Sequence, residues 1–213
     1  MTVLLLGAKG QLGLELKPLL SQAHPSSLHA LSRDELDLSD LGAIENCLQR
    51  IRPKIIFNAS AYTAVDLAQT QVDLAQTINH LVPKSLAQYA KSSQAILVHY
   101  STDFVFDGQK RSPYLEDDPT GPLSVYGQSK LAGEQAIQNS GCQHLIFRTA
   151  WLMGARGQNF LKTMLRLAKE KTQIRVVADQ VGAPTSAKWL ANISVQALER
   201  CMSDLSSNRV PPW

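Results

Sequence analysis

The chain has 213 residues, 44% of them hydrophobic and 18% charged, enough for one sizeable core or one core with a small appendage. A net charge of +3, a pI near 8.8 and scattered basic residues exclude the dense cationic stripe of a nucleic-acid binder. No apolar stretch approaches the ~20 residues of a membrane span, and Cys47, Cys142 and Cys201 lie far apart without metal-ligand spacing; a soluble protein of the reducing cytoplasm is expected.

Short apolar runs alternate with helical patterns along the chain. Residues 2–7 read as a buried strand, and 11–22 as a helix with Leu12, Leu16, Leu19 and Leu20 on one face. A second strand over 27–33 leads to a helix over 40–52, stopped before Pro53, and a third strand over 54–60. Residues 72–93 read as one long helix or two, with Pro83 inside. A fourth strand (95–102), a helix from Tyr126 to Asn139 and a fifth strand (144–151) follow. An amphipathic helix (159–170), a short strand (174–179) and a helix over 186–201 come next, and the tail from Ser203 reads as a frayed end. Apolar strands buried on both faces and alternating with helices imply an α/β fold, a Rossmann-type doubly wound parallel sheet over 1–150. Residues 151–213 would form extra elements leaning on it, where a second substrate could sit.

The loop "GAKGQLG" spaces Gly7, Gly10 and Gly13 in a G-x-x-G-x-x-G pattern between the first strand and first helix. That context suits a dinucleotide pyrophosphate, which approaches the glycine backbone and meets free N–H groups at the helix start. A glycine turn that merely packs helix on sheet is the plain alternative. The second strand ends in Leu31-Ser32-Arg33 instead of the acid that usually holds a ribose 2′-hydroxyl. A hydroxyl and a cation favour the 2′-phosphate of NADPH over NADH, with Lys9 adding charge, unless Arg33 is a plain surface cation. Asp37 and Leu38 could lie against adenine, while Ser39 and Asp40 are also good N-cap residues.

"STDFVFDG" (101–108) stands at the end of the fourth strand, where ligands sit in an open α/β sheet, and "SVYGQSK" (124–130) follows. Tyr126 and Lys130 are four apart and share a helical face. An unperturbed phenol titrates near ~10, and an adjacent ammonium is expected to lower that value. The pair would then protonate a carbonyl oxygen as hydride arrives, with Thr102 holding the substrate oxygen. An exposed Tyr–Lys helix pair without chemistry is the alternative.

These segments, with "NASAYTAVD", "PLSVYGQSKLAGE", "FRTAWLMG" and "DQVGAPTSA", resemble the extended short-chain dehydrogenase/reductases, and within them the dTDP-4-dehydrorhamnose reductases. The resemblance implies NADPH-dependent reduction of a dTDP-linked 4-keto sugar, with NADH possible. It implies Tyr126 as proton donor, Lys130 as its support and Thr102 as the orienting hydroxyl. Gly10, Gln11, Leu12, Asp37, Leu38, Ala61, Tyr62 and Thr63 would touch the cofactor, and Thr102, Asp103 and Trp151 the sugar nucleotide. Related dehydratases carry an acid where Phe104 stands, so dehydration is disfavoured. Some members bind Mg²⁺ through carboxylates at a dimer contact. Glu15 matches one such position, but Lys188 stands at another, so no metal site is expected. The family continues for several more elements, so the C-terminal substrate lobe reads as smaller and truncated. Alternatives are a non-catalytic NADP-binding or regulatory protein, a defunct copy, or a reductase or epimerase of another sugar nucleotide. Monomer and homodimer are both open.

Overall fold

The computed structural model describes residues 1–207. Five parallel strands, β1 (Val3–Leu6), β2 (Leu28–Leu31), β3 (Ile55–Asn58), β4 (Ile96–Thr102) and β5 (Gln143–Thr149), pair in the order β2-β1-β3-β4-β5. The order reverses at β1, so the crevice beyond the strand ends there is the switch point where open α/β sheets bind ligands.

Strand alternation divides the core. Val3, Leu5, Ile55, Phe57, Val98 and Tyr100 face α1 (Gln11–Ala23), whose Leu12, Leu16 and Leu20 are buried, and α7 (Ala187–Ser206), which adds Leu190, Ala191 and Leu198. Leu4, Leu6, Ile56 and Leu97 face the other way. They pack on α2 (Leu41–Ile51), α4 (Val82–Ser93) and α5 (Val125–Ser140) through Ile44, Leu48, Leu86, Ala90 and Ile137. The two-sided pattern is why these strands read as near-continuous apolar runs. Asp40 caps α2 by accepting from the Ala43 N–H (3.0 Å). The three cysteines are buried and free. Among the described residues no helix is long and apolar enough to cross a membrane.

The segment from 72 to 93 is continuous but not uniform. α3 (Val72–Gln76) passes through a π turn (Thr77–Leu81) into α4, with Pro83 in the first turn of α4. Proline has no N–H for the usual helical bond, and a wider turn just before it accommodates that loss. The π turn holds Asn79, which is fully buried.

Beyond β5, β6 (Leu152–Met153) pairs with β7 (Thr185–Ser186), and α6 (Phe160–Glu170) lies between them in sequence. None of α6 is buried, and Phe160, Leu161 and Leu165 are exposed. Two expectations fail here. Residues 174–179 form no strand: nearly all are exposed, and no described strand pairs with them. The last helix continues past Cys201 to Ser206, so the start of the expected frayed tail is helical; residues 208–213 lie outside the described residues.

Candidate active site

A cleft of about 680 Å³ opens over the C-terminal ends of the strands, within the size range of cofactor sites. Gly7, with φ +78°, makes the turn out of β1. Gly13 sits behind the loop, where a Cβ would lie 2.1 Å from the Gly7 carbonyl oxygen, so only glycine lets α1 close on the turn. Gly10 caps α1 without a side-chain bond, leaving its first-turn N–H groups directed at the cleft.

Gly7, Gly10, Gln11, Leu12, Arg33, Asp37, Leu38, Ala61, Tyr62 and Thr63 all line this cleft, as do Thr102, Asp103, Tyr126, Lys130 and Trp151. Gly13 shapes the loop from behind, and Glu15 lies elsewhere, 3.7 Å from the Arg156 guanidinium. Among the described residues no group of three or more His, Cys, Asp or Glu is placed to hold a metal. Lys9 is engaged by Asp34 in an exposed pair, leaving Arg33 as the cation at the end of β2. Asp37 accepts from the Ser39 N–H (2.9 Å) and hydroxyl (2.8 Å), which hold its carboxyl below the ordinary range.

At the chemical end, the side chain of Thr102 accepts from the Phe104 N–H (3.2 Å) and donates to Asp103 Oδ1 (3.0 Å). Burial raises the Asp103 carboxyl. Ser124 caps α5 by accepting from the Gly127 N–H (3.1 Å), which starts the helix one residue before Tyr126. The Phe104 ring meets Tyr126 edge to face, 5.6 Å between centroids. Trp151 lies just beyond β5 at φ +44°, a left-handed conformation rare for an indole residue, and stands half-exposed over Gly182.

Lys130 corrects an expectation. In the ligand-free cleft its amine is held by β4 and not by the phenol. Lys130 is 1% exposed, donates to the Tyr100 carbonyl (2.6 Å) and lies 3.5 Å from His99 Nε2. Burial raises Tyr126 above its ordinary value, the Thr102 hydroxyl pulls it down and the Asp103 carboxylate pushes it up. The phenol is therefore held as an acid at neutral pH. Burial also draws the Lys130 amine down to about 8, against the Glu134 carboxylate, which raises it.

Sequence reasoning missed the polar residues behind this pair. Asn79 accepts from the Tyr62 N–H (2.9 Å) and donates to the Tyr62 carbonyl (3.0 Å) and Ser129 hydroxyl (3.0 Å), tying the 59–63 loop to α5. Asn58 and His99, on neighbouring strands, meet at 3.1 Å. The available signal was a histidine and an asparagine inside otherwise apolar strands.

His99 is fully buried, and burial, then the charge of Lys130, holds its ring well below the ordinary value. Below about pH 6.5 the unfolded chain takes up a proton that the folded chain refuses. Stability to denaturant is therefore expected to be flat near neutral pH and to fall as pH drops through that window. His99→Gln should weaken that acid dependence in urea titrations run from pH 5 to 7.5.

A family model described as the RmlD substrate binding domain matches residues 1–210. A Burkholderia thailandensis protein named dTDP-4-dehydrorhamnose reductase is 45% identical over 207 residues, covering 96% of this chain and 68% of that protein. A solved dTDP-4-dehydrorhamnose reductase from Clostridium acetobutylicum superposes with a TM-score of 0.88 at 39% identity, covering 94% of this chain and 71% of that one. One from Bacillus anthracis, in complex with NADP, gives 0.86 at 38% identity, covering 93% and 71%. With the match running from the glycine loop through α7, the chain belongs to the RmlD substrate binding domain family.

Proposed function

We propose that the chain reduces the 4-keto group of dTDP-4-dehydro-β-L-rhamnose to give dTDP-L-rhamnose, with NADPH as reductant, in the cytoplasm, as a monomer or homodimer. One observation carries the reading: the glycine loop and the Tyr126–Lys130 face of α5 open on the same cleft. Residues 1–150 would supply the cofactor region and the segment from 151 would contribute to the sugar-nucleotide side.

The cleft fits the cofactor. Its volume suffices for a large ligand, the start of α1 offers N–H groups to a pyrophosphate, and Arg33 is available to a 2′-phosphate. When bound, NADPH supplies the hydride. Tyr126, kept protonated by burial, gives its Oη proton to the substrate oxygen. Thr102 orients that oxygen once its hydroxyl turns from Asp103. Lys130 offers N–H groups to the nicotinamide ribose from a fully buried position. Phe104, without a titratable group, gives no acid for dehydration. The half-exposed indole of Trp151 packs on the sugar nucleotide.

The test is loss of nicotinamide absorbance when the purified chain is mixed with NADPH and dTDP-4-dehydrorhamnose. Turnover supports the reading. NADPH binding without turnover on this sugar, but with turnover on another sugar nucleotide, would reassign the substrate. For the cofactor itself, Arg33→Ala is expected to weaken NADPH by about 10- to 100-fold, as loss of a charge-assisted contact does. NADH should be nearly unaffected. Fluorescence titration of both reads the difference, and an equal loss for the two would remove Arg33 from the 2′-phosphate.

A further inference from the structure

Behind Lys130 a short polar chain crosses the sheet: Ser60, Asn58, His99, Lys130. Asn58, His99 and Lys130 are each at most 1% exposed. The amide of Asn58 has only one orientation that satisfies its neighbours. The Ser60 backbone N–H and hydroxyl both point at Oδ1. A backbone N–H can only donate, so the oxygen must face Ser60 and the Nδ2 hydrogens must face His99 Nδ1, 3.1 Å away. Nδ1 then accepts. In a neutral ring the proton therefore sits on Nε2, which faces the Lys130 amine at 3.5 Å.

This geometry treats the two charge states of Lys130 unequally. An ammonium has three donors and no lone pair, so it would meet the His99 N–H donor to donor. A neutral amine accepts from that N–H, donates to the Tyr100 carbonyl at 2.6 Å and keeps one N–H for the cleft. The remaining neighbours are few. On α5, Glu134 opposes the effect but is held by Arg148 of β5. Tyr126 and Asp103 face the cleft, Asn58 of β3 bonds His99, and the neutral Asn79 of the π turn bonds Ser129, the residue before Lys130.

We propose that Asn58 and His99 are a positioning pair that presents an N–H, rather than a lone pair, to Lys130 and so favours the neutral amine in the ligand-free cleft. It rests on the proposed function only in treating Lys130 as the cofactor-facing group. Asn58 acts at one remove, by fixing which nitrogen of the ring carries the proton.

Nuclear magnetic resonance on the ligand-free chain, labelled with ¹⁵N-histidine and ¹³C-lysine, tests it without cofactor. Long-range ¹H–¹⁵N spectra identify the protonated ring nitrogen, and Lys130 Cε follows its charge from pH 7 to 11. The expected result is a neutral His99 protonated on Nε2 and a Lys130 midpoint at least about tenfold in proton concentration below that of exposed lysines. Asn58→Asp replaces the donor with an acceptor. It should move the proton to Nδ1, aim a lone pair at Lys130 and raise the midpoint about tenfold or more. His99→Phe, which removes the N–H, should raise it in the same direction and carries the test if Asn58→Asp does not fold. Protonation on Nδ1 in the unaltered chain overturns the proposal. So does a midpoint unchanged in a folded variant. Failure of NADPH to bind would sink the proposed function and leave these spectra to decide the pair by themselves.

Discussion

Tyr126→Phe is expected to lower kcat for the keto-sugar by about 10²–10⁴-fold, the usual contribution of a positioned general acid, with NADPH affinity nearly unchanged. Phenylalanine keeps the ring that meets Phe104 edge to face, so the wall of the cleft survives and only the proton is lost. Because burial raises the phenol, its own ionisation should not limit the rate at neutral pH. Steady-state kinetics with a parallel fluorescence titration separate the chemistry from binding. A variant within a few-fold of the unaltered kcat would place the proton donor elsewhere in the cleft.

The second large effect is on stability. Glu134 is 1% exposed and accepts from Arg148 Nε at 3.1 and 3.2 Å and from Nη2 at 2.7 Å. Arg148 also donates to the Glu116 carbonyl (3.1 Å) and lies over the Phe106 ring. Glu134→Ala strands a largely buried guanidinium and should cost about 3 kcal/mol, the low end for breaking a buried pair, because Arg148 keeps some solvent contact. For a chain of this size that is a fall in melting temperature of roughly 6–12 °C. Glu134→Leu combined with Arg148→Met should recover much of the loss, since removing both charges leaves neither one unpaired. Failure of the double variant to recover would mean that the pair fixes the approach of α5 to β5 and not merely each other's charge. The same carboxylate supports the charge on Lys130, so Glu134→Ala should also depress the Lys130 midpoint.

The order of strands and helices was readable because the physical cause is local. Strands buried on both faces must be apolar throughout, and a glycine loop between a strand and a helix has few other uses. Segment 174–179 misled because Ile174, Val176 and Val177 carry strand propensity, while a strand also needs a partner edge. The direction of the Lys130 amine was hidden for a different reason. Spacing of four puts Lys130 on the same face of α5, but where an amine on a flexible stem points is decided by acceptors from β4, here the Tyr100 carbonyl. The contacts of Asn79 and the Asn58–His99 pair join residues that are distant in sequence, 17, 50 and 41 positions apart, which no window along the chain connects.

The open face of α6 has a practical consequence. Phe160, Leu161 and Leu165 are exposed on this chain, close in sequence to the exposed Val176, Val177 and Val181. A dye that fluoresces on apolar surface will therefore light up on the folded chain, so dye-monitored melts should start from a high baseline and blur the transition. Circular dichroism, which follows the backbone, would see the same unfolding from a flat one.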